Sequence, residues 1–314
     1  MERFLNKQLR NKLKASAIGS IWHSHAHTFE FGKKPYEPDH VASFVINGLS
    51  HLDELWSAQL RKFQLGVQIT GVFCHQYPQV EFDMGGQPET VELADLLVVR
   101  RHYSQGKIKK EVATLFQSKM SHDSTKKVTE KDGQHFLYNN WPEFRFTQKG
   151  YAKHKRDIGL CKEQAKYNLI FDKMLYPEDN TEWPDSCFWS VADHTQIHME
   201  SDESFAALLD GMVAFERGRE FFSETNPACE WTKTILELLN VTFHKRLKTM
   251  LYKSPKRGTS HNMFLMTTAG QPLGATGFAS SGNDGHQSVE FSEEDSPPGI
   301  STIIIETFDL EDEK

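Results

Sequence analysis

Apolar positions along this chain switch between two periods, and the switches mark its elements. Val45, Leu49, Leu52, Leu55, Trp56 and Leu60 recur at helical spacing and predict a helix over residues 41–65, with Asp39 available as its cap. Phe205, Leu208, Leu209, Met212, Val213 and Phe215 predict a second helix over 205–221, and Ile235, Leu238, Leu239 and Phe243 a third over 232–250. Phe4, Leu5, Leu9 and Leu13 alternate with Arg3, Lys7, Arg10, Lys12 and Lys14, so residues 1–20 read as an amphipathic helix, basic like an organellar presequence but better suited to packing on a surface. β-Prone runs are expected at 67–73, 93–99, 112–116, 165–171, 186–192 and 300–308. The runs 93–99 and 112–116 are joined by a polar segment with Ser104-Gln105-Gly106 at its tip, which predicts an antiparallel hairpin.

That hairpin places chemistry. Side chains alternate along a strand, so Gln117 and Lys119 share a face, and Asp95 on the first strand lies opposite them in a suitable register. An acid, an amide and an ammonium converging at a sheet end suit phosphodiester cleavage. A carboxylate and neutral oxygens hold Mg²⁺, and the lysine offsets charge building on phosphorus. The arrangement resembles the PD-(D/E)XK nuclease superfamily, whose pattern is an acid early in one strand and (D/E)-x-K on the next. Asp95 matches the first acid and Lys119 the lysine. Gln117 stands where an acid is usual, and Glu92, nearby, is a candidate to restore the missing charge. The resemblance covers residues 40–175 and implies an α/β, restriction-endonuclease-like core sheet flanked by helices. It further implies Mg²⁺ or Mn²⁺ held by Asp95 and Gln117, an extra acid from the first core helix (Glu54), DNA as substrate, and a role in restriction or defence against phage. With Gln117 in place of an acid, the alternative is a degenerate nuclease fold that binds DNA or a partner without cutting.

Charge and composition refine this picture. Arg100, Arg101, Lys107, Lys109 and Lys110 form a dense basic cluster in the hairpin and are candidate phosphate contacts. The net charge of -7 excludes a uniformly basic coat but not a local groove. Four scattered cysteines without a Cys-x-x-Cys pair fit neither a zinc ribbon nor a disulfide framework and point to the reducing cytoplasm. No apolar run is long enough for a membrane span, so no membrane partner is expected; a partner protein or a second copy of the chain remains open. His23, His25 and His27 at every second position read as one face of a strand able to ligate a metal, similar to the His-x-His of amidohydrolases, although the eight β/α repeats of that barrel are not evident. The expected organisation is an N-terminal arm (1–40), a nuclease core (41–200), a helical accessory part (201–270) and a flexible linker with an acidic tail (271–314).

Overall fold

The computed structural model describes residues 5–29, 34–74, 78–129, 131–175, 183–194, 196–201, 203–226, 228–244, 262–267, 289–290 and 299–310. The Gly/Ser-rich segment 271–288, the basic stretch 253–257 and the acidic tip 311–314 lie outside them.

In chain order, helix α1 (Lys7–Phe29) leads to α2 (Glu37–Ser43), a π turn (Phe44–Gly48) and α3 (Leu49–Leu60). Seven strands and a helix follow: β1 (Leu65–Phe73), β2 (Gln79–Asp83), β3 (Pro88–Glu92), β4 (Leu96–Ser104), β5 (Lys107–Ser121), β6 (Thr125–Lys127), α4 (Gly133–Asn140) and β7 (Phe144–Phe146). The second half holds β8 (Ala165–Phe171), β9 (Trp189–Ala192), β10 (His198–Glu200), β11 (Glu203–Ser204), α5 (Phe205–Val213), β12 (Arg219–Glu220) and α6 (Glu230–His244). The chain closes with β13 (Asn262–Thr267), β14 (Val289–Glu290) and β15 (Ser301–Asp309).

A mixed central sheet runs β11-β9-β8-β5-β4-β15-β1-β13-β14, with β12 on β5, and helices flank it. β4 and β15 pair in parallel, as do β5 and β8; the other neighbours are antiparallel. The chain is therefore α/β, as the alternating periods predict. Smaller sheets, β3-β2-β7 and β10-β6, stand beside it.

The expected division into parts does not describe the packing. Residues 1–40 are no arm: Leu9, Leu13, Ala17 and Ile21 of α1 are buried in the main core, and the Trp56 indole of α3 donates to the Leu13 carbonyl at 3.0 Å. Nor is the C-terminal run a tail. β15 lies between β4 and β1, with Ile303, Ile304 and Ile305 buried. A strand covered on both faces must be apolar at successive positions, which is what the triple isoleucine supplies. α5 ends at Val213 rather than near 221, because the chain turns at Phe215 (φ 57°) and returns as β12 to pair with β5.

Among the described residues, no helix is long and apolar enough to cross a membrane. Gly71 on β1 lets the sheet approach α3: a Cβ there would meet Leu49 Cδ1 at 2.4 Å and Val45 Cγ1 at 3.0 Å. Both neighbours are fully buried and have little room to shift. Gly71→Ala should cost about 1–3 kcal/mol by overpacking, measured as a lower urea midpoint with unchanged slope; an unchanged midpoint would mean the helix layer yields at this point.

Candidate functional site

The site begins where two paired strands part. β4 starts at Leu96, opposite Phe116, and Asp95 N–H donates to the Phe116 carbonyl at 2.9 Å. β5 runs on to Ser121, held on its other side by β8 through the pairs Gln117↔Tyr167 and Lys119↔Leu169. Backbone N–H groups alternate sides along a strand, so those of Ser118 and Met120 face the edge that β4 has left. Two carboxylates fill the gap. Asp95 Oδ2 accepts from Ser118 N–H at 2.6 Å, and Glu37 Oε1, from the first turn of α2, accepts from Met120 N–H at 3.0 Å.

Gln117 and Lys119 project together from β5 into a chain of hydrogen bonds anchored on α4. Lys119 Nζ donates to Gln134 Oε1 at 3.1 Å. Gln134 Nε2 donates to Gln117 Oε1 at 2.5 Å and to the Glu92 carbonyl at 3.2 Å. Gln117 Nε2 then donates to Asp95 Oδ2 at 2.5 Å. The ends of this chain fix its direction, because an ammonium only donates and a carboxylate or carbonyl only accepts. Gln134 itself is placed by Asp132, which caps α4 by accepting from the N–H groups of Gln134 and His135.

Negative charge is crowded here. Burial pushes the Glu92 carboxyl up to about 8; the Asp95 charge adds to the rise, and Lys119 opposes it. Burial likewise raises Asp95 to about 7, against the Ser118 N–H and Lys119, with Glu37 adding to the rise. Carboxyls that hold protons near neutrality beside a lysine form a cluster that would gain from a bound cation. Among the described residues, no group of three or more His, Cys, Asp or Glu side chains is placed to hold a metal ion. Asp95 and Glu92 do interact electrostatically and offer hard oxygens. Mg²⁺ is commonly held by only one or two carboxylates and keeps several waters, so this donor set fits it.

The sequence-derived candidates fall into two groups. Asp95, Gln117, Lys119 and Glu92 come together. Gln117, however, points its amide N–H at Asp95 and gives its oxygen to Gln134, so in this arrangement it holds Asp95 and is not a metal ligand. Glu54 does not join them: it is exposed on α3, while its neighbour Asp53 turns inward and accepts from Ile69 N–H.

The hairpin cluster also departs from expectation. The Arg100 guanidinium is 0 % exposed, donates to Thr307 Oγ1 at 2.6 Å and lies over the Phe215 ring, so it is structural and no phosphate contact. Burial lowers its pKa to about 9. Arg101 pairs with Glu111 and Glu306, and Lys110 with Glu220. Lys107 and Lys109 are exposed, but at the far end of the hairpin from Asp95. At the rise of an extended strand that is about 30 Å away.

His23, His25 and His27 lie on helix α1, not on a strand, so they do not share one face. His25 turns inward and its Nε2 lies 2.8 Å from the Lys173 carbonyl, whereas His23 and His27, four residues apart, sit side by side.

Two members of the site escaped the sequence reading. Glu37 reaches β5 from 83 positions away, and its only local mark is Glu-Pro at a helix start. Gln134 had a visible signal in Asp132, a cap two residues before it, which fixes α4 over the strand pair. Comparison of the chain with protein-family models, with curated proteins and with solved structures finds no match in any of the three.

Proposed function

We propose that this protein is a metal-dependent nuclease of the restriction-endonuclease-like type, cutting DNA at the parting of β4 and β5. The observation that carries the reading is the contact set Asp95–Gln117–Gln134–Lys119, with Glu92 and Glu37 beside it. Asp95 and Glu92 would hold Mg²⁺ or Mn²⁺, which when bound polarises a phosphate oxygen and lowers the pKa of a water. Lys119 supplies a fixed positive charge toward the phosphorus, worth most where charge builds in the transition state. Gln134 orients Lys119, and Gln117 orients Asp95, so the two reacting groups are held by neighbours that do not react. The crowding of carboxylates also makes DNA binding weak without the cation, since phosphate would meet negative charge. A role in phage defence follows only from the resemblance of the motif.

One observation favours a second reading, a nuclease fold that binds without cutting. Gln117 spends its amide on Asp95 and Gln134, and Lys119 spends a donor on Gln134, so the polar chain is already closed. The two readings part on plasmid DNA. A nuclease nicks or linearises it in Mg²⁺ or Mn²⁺ and is inert in EDTA, and Gln117→Glu preserves cutting or shifts its metal preference. A binding module retards DNA identically with and without EDTA and leaves it intact. Cleavage that persists in EDTA would discard the metal.

A further inference from the structure

We propose that Lys126 and Lys173, at the end of β5 away from the hairpin, are the phosphate contacts that seat DNA beside the carboxylate site. The proposal rests on the nuclease reading of that site and names the surface its substrate would use. β5 runs on beyond the start of β4 to Ser121, where β8 still pairs with it through Ser121↔Phe171. Both lysines stand at this end. The chain turns after Ser121 and comes back as β6, whose Lys126 Nζ donates to the Met120 carbonyl at 3.1 Å. Lys173 follows Phe171 by two residues, and its Nζ lies 3.4 Å from His122 Nε2. Met120 and Ser121 come directly after Lys119, about 3–7 Å from it along an extended strand. A phosphate next to the one at Lys119 would come within reach of these ammonium groups.

What marks the two lysines is the kind of group that holds them. Lys14, Lys110, Lys162 and Lys233 each pair with a carboxylate. Lys126 is held by a carbonyl and Lys173 by an imidazole, and among the described residues neither meets an acid. Lys119 shares this feature through Gln134. The roles at His122 are fixed. An ammonium only donates, so Nε2 accepts from Lys173, and the proton on Nδ1 goes to Asp172 Oδ1 at 3.2 Å. Asp172 is thereby engaged with the ring that positions Lys173. Of the other acids here, Asp123 accepts from the Thr125 N–H and hydroxyl, and Glu37 from the Met120 N–H. An ammonium that the fold positions without neutralising keeps its charge for an anion, and a backbone phosphate is the anion this site would face.

A labelled DNA duplex is the probe, titrated with full-length protein in Ca²⁺, which takes the same hard oxygens as Mg²⁺. Fluorescence anisotropy across a salt series reads binding, and a denaturing gel confirms that the DNA stays intact. Lys126→Gln and Lys173→Gln should each reduce the slope of log K against log salt by about 1, and the pair by about 2, with affinity falling to the same extent on unrelated DNA sequences. Lys126→Arg and Lys173→Arg keep the charge and should keep the slope. Lys107→Gln with Lys109→Gln, in the hairpin, should leave it unchanged. Thermal midpoints identify a variant that fails to fold, and exposed Lys173→Gln then carries the test alone. Wild-type binding whose slope is indifferent to both substitutions overturns this surface and leaves the nuclease reading standing. No binding by the folded wild type, with Ca²⁺ or without, overturns both.

Discussion

On the proposed nuclease reading, Asp95→Asn should abolish cleavage, and it should make the protein more stable. The loss follows from removing the charge that would face the proposed cation and phosphate, and is expected to be on the order of 10³-fold in rate. The gain follows from the pKa. A carboxyl held at about 7 in the folded chain, against an ordinary value of 3.8, keeps its proton to higher pH than the unfolded chain does. Its penalty is therefore fully present above about pH 7, shrinks as the pH falls, and vanishes near pH 4. For a group sealed from water that difference would be worth about 4 kcal/mol; Asp95 is only partly buried, so roughly 1–2 kcal/mol is expected. Asparagine keeps an oxygen able to accept from Gln117 and Ser118, so the local hydrogen bonds survive. Urea unfolding at pH 8 and at pH 4.5 checks this: the variant should exceed wild type at pH 8 and match it at pH 4.5. Lys119→Met should lose activity by about 10²-fold and lose stability at pH 8, since it removes the cation that tempers both carboxylates. An Asp95→Asn protein that is destabilised at pH 8, or still cuts DNA, would contradict the assignment of a strained catalytic carboxylate.

The buried histidines should each withdraw stability between about pH 6.5 and 4. His25 is stacked between Phe188 and His40 at centroid distances of 4.2 and 4.6 Å, and burial holds it down to about 4. His40 lies well below the ordinary range, again first by burial and then by the neighbouring His25, and among the described residues neither of its ring nitrogens has a hydrogen-bond partner. Burial lowers His194 to about 4 as well. A depressed histidine stabilises the fold fully above the unfolded value of about 6.5. Below it the unfolded chain takes up protons that the folded chain refuses, at about 1.4 kcal/mol per pH unit per group, until the folded pKa is reached.

His25 and His194 together would remove on the order of 6 kcal/mol by pH 4, a large share of ordinary stability. Asp95 and Glu92 act in the opposite sense in this window with the same slope per group and offset a comparable amount, so the histidine contribution is read from the variants and not from the net curve. His40 belongs to α2, the helix that brings Glu37 to β5, so the site should be disrupted with the histidine layer. His40→Phe keeps an aromatic ring at the stack without a titrating nitrogen and should flatten the fall in stability between pH 6.5 and 4.5. An unchanged slope in His40→Phe, together with one in His25→Gln, would remove the histidines as the cause.

Much of the candidate site was legible before the fold. Strand parity set Gln117 and Lys119 on one face, and the turn at Gln105-Gly106, both with positive φ, set the hairpin, while a bulge between His102 and Tyr103 shifts the register by one residue before it reaches Asp95. Parity and the hairpin are local consequences of the sequence, but the final register rests on the bulge, which the sequence pattern does not mark. The isoleucine run at 303–305 also carried a readable message: successive apolar positions mark a strand covered on both faces, and so a central one.

What tertiary structure alone decided has a common physical cause, the meeting of groups far apart in sequence. Glu37 enters the site because β4 begins only at Leu96 and leaves two N–H groups of β5 that burial requires to be satisfied. Arg100 looked like a surface charge, but its parity on β4 points it under Phe215, where Thr307, 207 positions later, receives it. Gln117 reads as a metal ligand from its place in the motif; the donor-only Lys119 and acceptor-only Asp95 at the ends of its hydrogen-bond chain turn it into a support. The histidines every second residue suggest a strand, yet the long buried face of α1 outweighs that local pattern. It sends His25 into the core and leaves His23 beside His27 and His51, because packing rather than spacing chooses the period that a segment adopts.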